Sequence, residues 1–141
     1  MDRAEGTQSL NAILNKYPDS YQQGLEPTIV ITNNDEYGIV VALAMHPYSS
    51  EHVVLVLELA FQSLPFFSYN FSTKRAIKAV NKKIASKKGF EVQIGERNGK
   101  FQCLIHKIYY GPIDLEELER DQAEISVLAM LVFTALKETI T

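Results

Sequence analysis

The sequence predicts an α+β domain in which an antiparallel sheet of about five strands packs with two or three helices. Two regions carry this prediction. Residues 90–110 alternate between polar and apolar side chains around a central turn, and both ends of the chain repeat apolar residues at helical spacing. The composition agrees, since 141 residues with 46% hydrophobic and 22% charged side chains suffice to bury a core without disulfides. The expected order is α-β-β-β-α-β-β-α, in one domain spanning residues 1–141.

The first helix is expected after a frayed end at residues 1–6. Thr7 is a suitable N-cap, and Pro18 ends the pattern. Between them, apolar side chains recur at helical spacing: Leu10, Ile13, Leu14 and Tyr17. The loop that follows leads into the sheet.

Three strands are expected next. Residues 28–32 and 37–45 are short β-branched or apolar runs separated by a polar turn. The third run, residues 53–61, fits a strand or a helix, because periodicity alone does not resolve short apolar runs. Its β-branched start and alternating apolar residues favour a strand, whereas Ser50 as a cap favours a helix. We interpret it as a strand.

The clearest local pattern is a hairpin centred on Asn98 and Gly99. An Asn-Gly pair between two alternating runs is typical of a two-residue type I′ turn. This turn sets the register of the two strands, because side chains alternate between faces. The expected cross-strand pairs are Arg97 with Lys100, Val92 with Ile105, and Ile94 with Cys103.

The last helix is expected to begin after Asp114, with Glu117 at the spacing of a capping box. From residue 125 to residue 136 only Ser126 and Thr134 are polar, so apolar side chains surround most of the helix. Either the sheet and its loops cover this helix, or one side meets a second subunit or a client. The candidate interface residues are Leu128, Leu131, Val132 and Phe133.

A second candidate surface is aromatic. Five of the eleven residues from 61 to 71 are aromatic, and a proline interrupts the segment. The rings either close the edge of the core or form a patch that binds a partner, as exposed apolar patches often do. These residues are Phe61, Phe66, Phe67, Tyr69 and Phe71.

Charge is distributed unevenly along the chain. Residues 74–107 hold ten of the fourteen basic side chains and only two acids, a net +8 in a chain whose net charge is −3. A helix capped by Ser72 is expected in this region, with basic residues along one side. This surface is either simply solvated or binds anions such as phosphate. The candidate anion-binding residues are Lys74, Arg75, Lys78, Lys82, Arg97 and Lys100.

No catalytic or metal-binding motif is present. The sequence lacks a phosphate-binding loop, a dinucleotide-binding glycine motif and a nucleophile elbow. The three histidines, His46, His52 and His106, lack metal-ligand spacing, and Cys103 alternates into the predicted core. We therefore expect no enzyme activity, no cofactor and no metal.

The expected compartment is the cytoplasm. The sequence has one cysteine, which fits a reducing environment, and its first residues lack the apolar run of a signal peptide. The longest dense apolar run, residues 127–133, is much shorter than the ~20 residues of a membrane span. We expect no membrane contact.

The order of predicted elements resembles the type III secretion chaperone fold that the YbjN-like proteins share. The mass of 15.9 kDa, the acidic balance and the amphipathic C-terminal helix over residues 114–140 are also similar, whereas the basic segment 74–88 departs from it. The resemblance implies a homodimer that binds a partner protein along its sheet and helix surface. We therefore expect a non-enzymatic protein-binding or chaperone-like module, with an unknown protein client. The alternative is a small phosphate- or nucleic-acid-binding regulator that uses the basic helix 73–88.

Overall fold

A computed structural model describes residues 1–17, 21–22, 28–34, 39–61, 78, 89–97 and 100–140. These residues form an antiparallel sheet and two helices, which confirms the predicted α+β class. The helices are α1 (Arg3–Leu14) and α2 (Leu115–Ile140). The strands are β1 (Tyr21–Gln22), β2 (Thr28–Asn34), β3 (Ile39–Pro47), β4 (Val53–Phe61), β5 (Glu91–Arg97) and β6 (Lys100–Tyr109).

The six strands lie in the order β1-β2-β3-β4-β6-β5, and each pairs antiparallel with its neighbours. One strand more than the expected five is found, because the two residues of β1 pair with β2. The helix predicted over residues 73–88 lies outside the described residues apart from Lys78, which is helical and exposed.

The ambiguous segment 53–61 is a strand at the centre of the sheet. β4 pairs with β3 at nine positions and with β6 at seven. Leu55, Leu57 and Leu59 are buried on one face, which matches the alternation in the sequence. The helical alternative for this segment is therefore wrong, because both neighbouring strands satisfy its backbone groups.

The β5–β6 hairpin has the predicted register. Arg97 pairs with Lys100, Val92 with Ile105 and Ile94 with Cys103. The strands therefore join through the two residues between Arg97 and Lys100, and that turn lies outside the described residues.

The N-terminal end differs from the expectation. α1 begins at Arg3 and not after Thr7, so the expectation that residues 1–6 fray is wrong. The physical reason is a capping box formed by Asp2 and Glu5. The side chain of Asp2 accepts a hydrogen bond from the Glu5 backbone N–H (2.8 Å), and the Glu5 carboxylate accepts one from the Asp2 N–H (3.3 Å).

α2 begins as predicted. The Asp114 carboxylate accepts a hydrogen bond from the backbone N–H of Glu117 at 2.8 Å and so caps the helix. The first turn also carries Glu116, which suits the positive end of the helix dipole. Among the described helices, none has a stretch long and apolar enough to cross a membrane.

One core joins both helices to the same side of the sheet, which we call the inner face. α1 contributes Leu10 and Ile13 to this core. The sheet and α2 contribute larger sets of side chains that are almost completely buried: Leu43, Leu55, Leu57 and Ile105 from strands, and Leu118, Ile125, Leu128 and Val132 from α2. The opposite side of the sheet, the outer face, is covered by neither α1 nor α2.

Candidate protein-binding surface

A buried carboxylate ties α2 to the inner face of the sheet. Asp121 is only 4% exposed and accepts hydrogen bonds from the Tyr109 hydroxyl (2.7 Å) and from the Lys107 ammonium (2.9 Å). Burial, and then the hydrogen bond to Asp121, raise the pKa of Tyr109, so its hydroxyl stays protonated and donates. This cluster fixes the position of α2 on β6 and thereby determines which side of the helix faces solvent.

The cysteine and the described histidines of β3 and its following loop lie in surroundings that give no sign of catalysis or metal binding. Cys103 is 1% exposed, and burial raises the pKa of its thiol to about 12, so it is a neutral core residue at physiological pH. His52 Nδ1 lies 3.1 Å from the Ser49 hydroxyl, and His46 is exposed at the end of β3. In the described ranges, no three His, Cys, Asp or Glu side chains are grouped as they would be to hold a metal.

The outer face combines aliphatic side chains with a polar row across its centre, and it carries the exposed polar residues His46 and Gln93 away from that row. Glu58 on β4 lies opposite His106 on β6, and His106 lies opposite Glu91 on β5. The His106 Nε2 is 3.2 Å from the Glu91 carboxylate. Half-buried aliphatic side chains surround this row: Val40, Ala42, Ala44, Val56, Ala60, Leu104 and Ile108.

Two exposed tyrosines stand at one end of the sheet. Tyr48 follows β3 and is 68% exposed, and Tyr110 follows β6 and is 61% exposed. Their rings meet edge to face, with 5.8 Å between centroids and 82° between planes. β4 lies between the strands that carry them, and its Val54 is buried. We call Tyr48 and Tyr110 the tyrosine pair.

Backbone hydrogen bonds hold the tyrosine pair in place. The Tyr48 N–H donates to the carbonyl of His52 at 2.9 Å, which closes the loop between β3 and β4. On the other side, the Tyr110 carbonyl accepts from the Met1 nitrogen at 2.9 Å, and the Met1 carbonyl accepts from the Val53 N–H at 2.9 Å. Both rings therefore project from anchored backbone, which lowers the entropy lost when they contact a partner.

α2 exposes apolar residues other than the predicted ones. Leu128 and Val132 are fully buried against the inner face, and Leu131 packs half-buried beside them. The predicted interface role of Leu128 and Val132 thus conflicts with the structure, because they share the sheet-facing side of the helix with other core residues. The exposed apolar side chains are Val127 (51%) and Met130 (66%). Phe133 lies within α2, and its side chain is outside the described part of the structure.

The remaining predicted site residues do not come together in one described site. Phe61 is 4% exposed at the end of β4 and belongs to the core, so it does not form an exposed patch. Arg97 and Lys100 are paired at the tip of the β5–β6 hairpin, and Lys78 is exposed. The others lie outside the described residues: Phe66, Phe67, Tyr69, Phe71, Lys74, Arg75 and Lys82.

The tyrosine pair was not among the residues predicted from the sequence, although a signal for it exists. Tyr48 directly follows His46-Pro47 where β3 ends, and Tyr110 directly precedes Gly111-Pro112 where β6 ends. Both tyrosines therefore directly follow the last residue of a strand, which places them at the end of the sheet beyond the paired residues.

The chain was compared with known proteins at the level of sequence family, curated protein and solved structure. The resemblance to the type III secretion chaperone fold stays a prediction after this comparison. No family model, curated protein or solved structure matches the chain.

Proposed function

We propose that this protein is a non-enzymatic, chaperone-like module that acts as a homodimer and binds a client protein through the tyrosine pair. The observation that carries the proposal is the pair of adjacent, largely exposed rings on anchored backbone. Tyrosine combines a large apolar surface with a polar hydroxyl, so it is enriched at interfaces and among the residues that dominate binding energy.

The outer face supplies area next to the tyrosine pair. Aliphatic side chains such as Val56 and Ile108 lie side by side in the register of β4 and β6, and neither described helix covers them. Glu58 and His106 add polar groups in the middle of this surface. An apolar area with a few central polar groups suits a protein segment, whose register the polar groups would fix.

The proposed compartment is the cytoplasm. The one cysteine of the sequence, Cys103, is a buried thiol, which fits a reducing compartment. The support for a homodimer is the exposure of Val127 and Met130 on α2, because large exposed aliphatic side chains favour a protein contact.

The test compares three forms of the protein in binding a client. Wild type, the double variant Tyr48→Ala/Tyr110→Ala and the double variant Tyr48→Phe/Tyr110→Phe are immobilised at equal density, and proteins captured from a cell lysate are quantified by mass spectrometry. A client enriched by wild type is then purified and its Kd measured. We expect the alanine variant to raise this Kd by about 30-fold or more, because hot-spot residues contribute ~2 kcal/mol or more each.

The phenylalanine variant is the matched control. It keeps both rings and removes only the hydroxyls, so we expect it to retain most of the affinity. The proposal fails if the alanine variant is folded by circular dichroism and still binds the client with the affinity of wild type.

A further inference from the structure

The solvent side of α2 presents one continuous stripe. Its positions are spaced alternately four and three residues apart, which keeps them on one side of a helix. Each of these residues is exposed: Glu116, Arg120, Ala123, Val127, Met130 and Thr134. We call this set the α2 stripe. Its centre is apolar, and its two ends are polar.

The α2 stripe is complementary to itself when reversed. If a second α2 runs antiparallel with a two-fold axis at Val127, then Ala123 lies opposite the partner's Met130, and Met130 lies opposite the partner's Ala123. A small side chain therefore receives a large one on both sides of the axis, and Val127 meets its own copy. Alternation of small and large side chains across facing positions is what dense helix packing requires.

Charge favours the same arrangement. Exposed Glu116 and Glu119 make the start of α2 acidic. In the antiparallel arrangement the acidic start of each helix lies at the opposite end of the contact from the partner's acidic start. In a parallel arrangement the acidic ends of both helices would lie side by side and repel each other.

We infer that two copies of this chain pair antiparallel through the α2 stripe, with the two-fold axis at Val127. This inference rests on the homodimer of the proposed function and names the surface that forms it. Such an isologous contact closes on itself. It buries Val127 and Met130 between the two α2 helices, and it uses neither residue of the tyrosine pair.

Disulfide cross-linking tests the position of the axis. Cys103 is the one cysteine of the sequence and is buried, so a cysteine introduced on the stripe supplies the accessible thiol. We expect Val127→Cys to form a covalent dimer under mild oxidation, because the two-fold axis brings this position next to its own copy. Thr134→Cys is the matched control. It lies opposite the partner's Arg120, so alone it gives little dimer, and the double variant Arg120→Cys/Thr134→Cys cross-links efficiently.

A charge on the stripe tests whether it holds the dimer together. We expect Met130→Asp to raise the dimer Kd at least about tenfold in sedimentation equilibrium, because a buried unpaired charge is strongly unfavourable. Glu124→Gln, on the same helix, should leave the Kd unchanged. Circular dichroism shows that each variant is folded.

The outcomes separate this inference from the proposed function. A dimer that Met130→Asp leaves intact, or that cross-links through Thr134→Cys as well as through Val127→Cys, overturns the antiparallel stripe while the homodimer stands. A wild-type protein that is monomeric at about 100 μM, some hundredfold above a micromolar Kd, overturns both the stripe and the homodimer. Client binding through the tyrosine pair is measured independently and tells whether the rest of the function survives.

Discussion

Asp121 is the residue on which the attachment of α2 to the sheet depends most directly. Its carboxylate is the shared acceptor for the Lys107 ammonium and the Tyr109 hydroxyl. We predict that Asp121→Ala lowers the free energy of unfolding by about 3 kcal/mol, because a half-buried cation and a buried hydroxyl lose their acceptor. Urea denaturation measures this change. Asp121→Asn keeps an acceptor for Tyr109 and should be less harmful.

The matched control for this prediction is Glu119→Ala. Glu119 lies on the same helix and carries the same functional group, but it is exposed. Its removal should change the free energy of unfolding by less than about 0.5 kcal/mol. Equal effects of Glu119→Ala and Asp121→Ala would show that the buried cluster contributes nothing particular to stability.

The burial of Cys103 predicts a loss of stability at alkaline pH. Burial raises the pKa of this thiol from 9.0 to about 12, so the folded state binds a proton that the unfolded state releases earlier. The protonated thiol therefore stabilises the folded state fully below about pH 9. This stabilisation is lost as the pH rises from there towards 12, at up to about 1.4 kcal/mol of unfolding free energy per pH unit. Cys103→Ala lacks this contribution. Its free energy of unfolding should therefore fall less steeply than that of wild type in urea titrations from about pH 8.5 to pH 10. Parallel curves for the two proteins would contradict the prediction.

At the scale of elements, α1 depends on a glycine to approach the sheet. Gly6 is buried, and a Cβ at this position would lie 2.9 Å from the sulfur of Met45 and 3.0 Å from a methyl group of Val53. We predict that Gly6→Leu lowers the free energy of unfolding by about 2 kcal/mol or more, because overpacking forces the helix away from β3 and β4. Ala4→Leu places the same side chain at an exposed position of α1 and should have little effect. Thermal or urea denaturation of both variants measures these changes. Equal stabilities would show that α1 does not need to pack this closely against β3 and β4.

The hairpin shows how far one element can be predicted from its own residues. Its register follows from the two residues between Arg97 and Lys100 and from alternation, and the structure has that register. The segment of β4 does not specify its own structure in this way. Its residues fit two structures in isolation, and the pairing with β3 and β6 resolves the choice.

At the scale of the whole molecule, the basic segment 74–107 suggests the alternative function of binding phosphate or nucleic acid. Binding measured at several salt concentrations tests this alternative. We predict that the triple variant Lys74→Ala/Lys78→Ala/Lys82→Ala binds the client of the tyrosine pair as wild type does. We also predict that wild type binds random duplex and single-stranded nucleic acid no tighter than about micromolar at physiological salt, which is ordinary non-specific binding. Fluorescence anisotropy at several salt concentrations measures it. Tighter binding that falls steeply with salt and disappears in the triple variant would replace the proposed function with the phosphate- or nucleic-acid-binding alternative.

Local patterns in the sequence were enough for the α+β class, for the start of α2 at its Asp114 cap and for the β5–β6 register. These features depend on neighbours in the chain, and so their residues specify them directly. The same reasoning placed the start of α1 wrongly, although the capping box of Asp2 and Glu5 is also local. Asp2 and Thr7 are both suitable N-cap residues, but only Asp2 has a glutamate three residues later.

Only the tertiary structure decided which apolar side chains of α2 face solvent. Val127 and Leu128 are adjacent and both aliphatic, yet one is 51% exposed and the other fully buried. Where apolar residues surround a helix, its sequence has no single apolar side, and so composition does not tell which side meets the sheet. The Asp121 cluster and the packing on the inner face set the rotation of α2. The outward position of Val127 and Met130 follows from that rotation, because contacts between distant parts of the chain determine it.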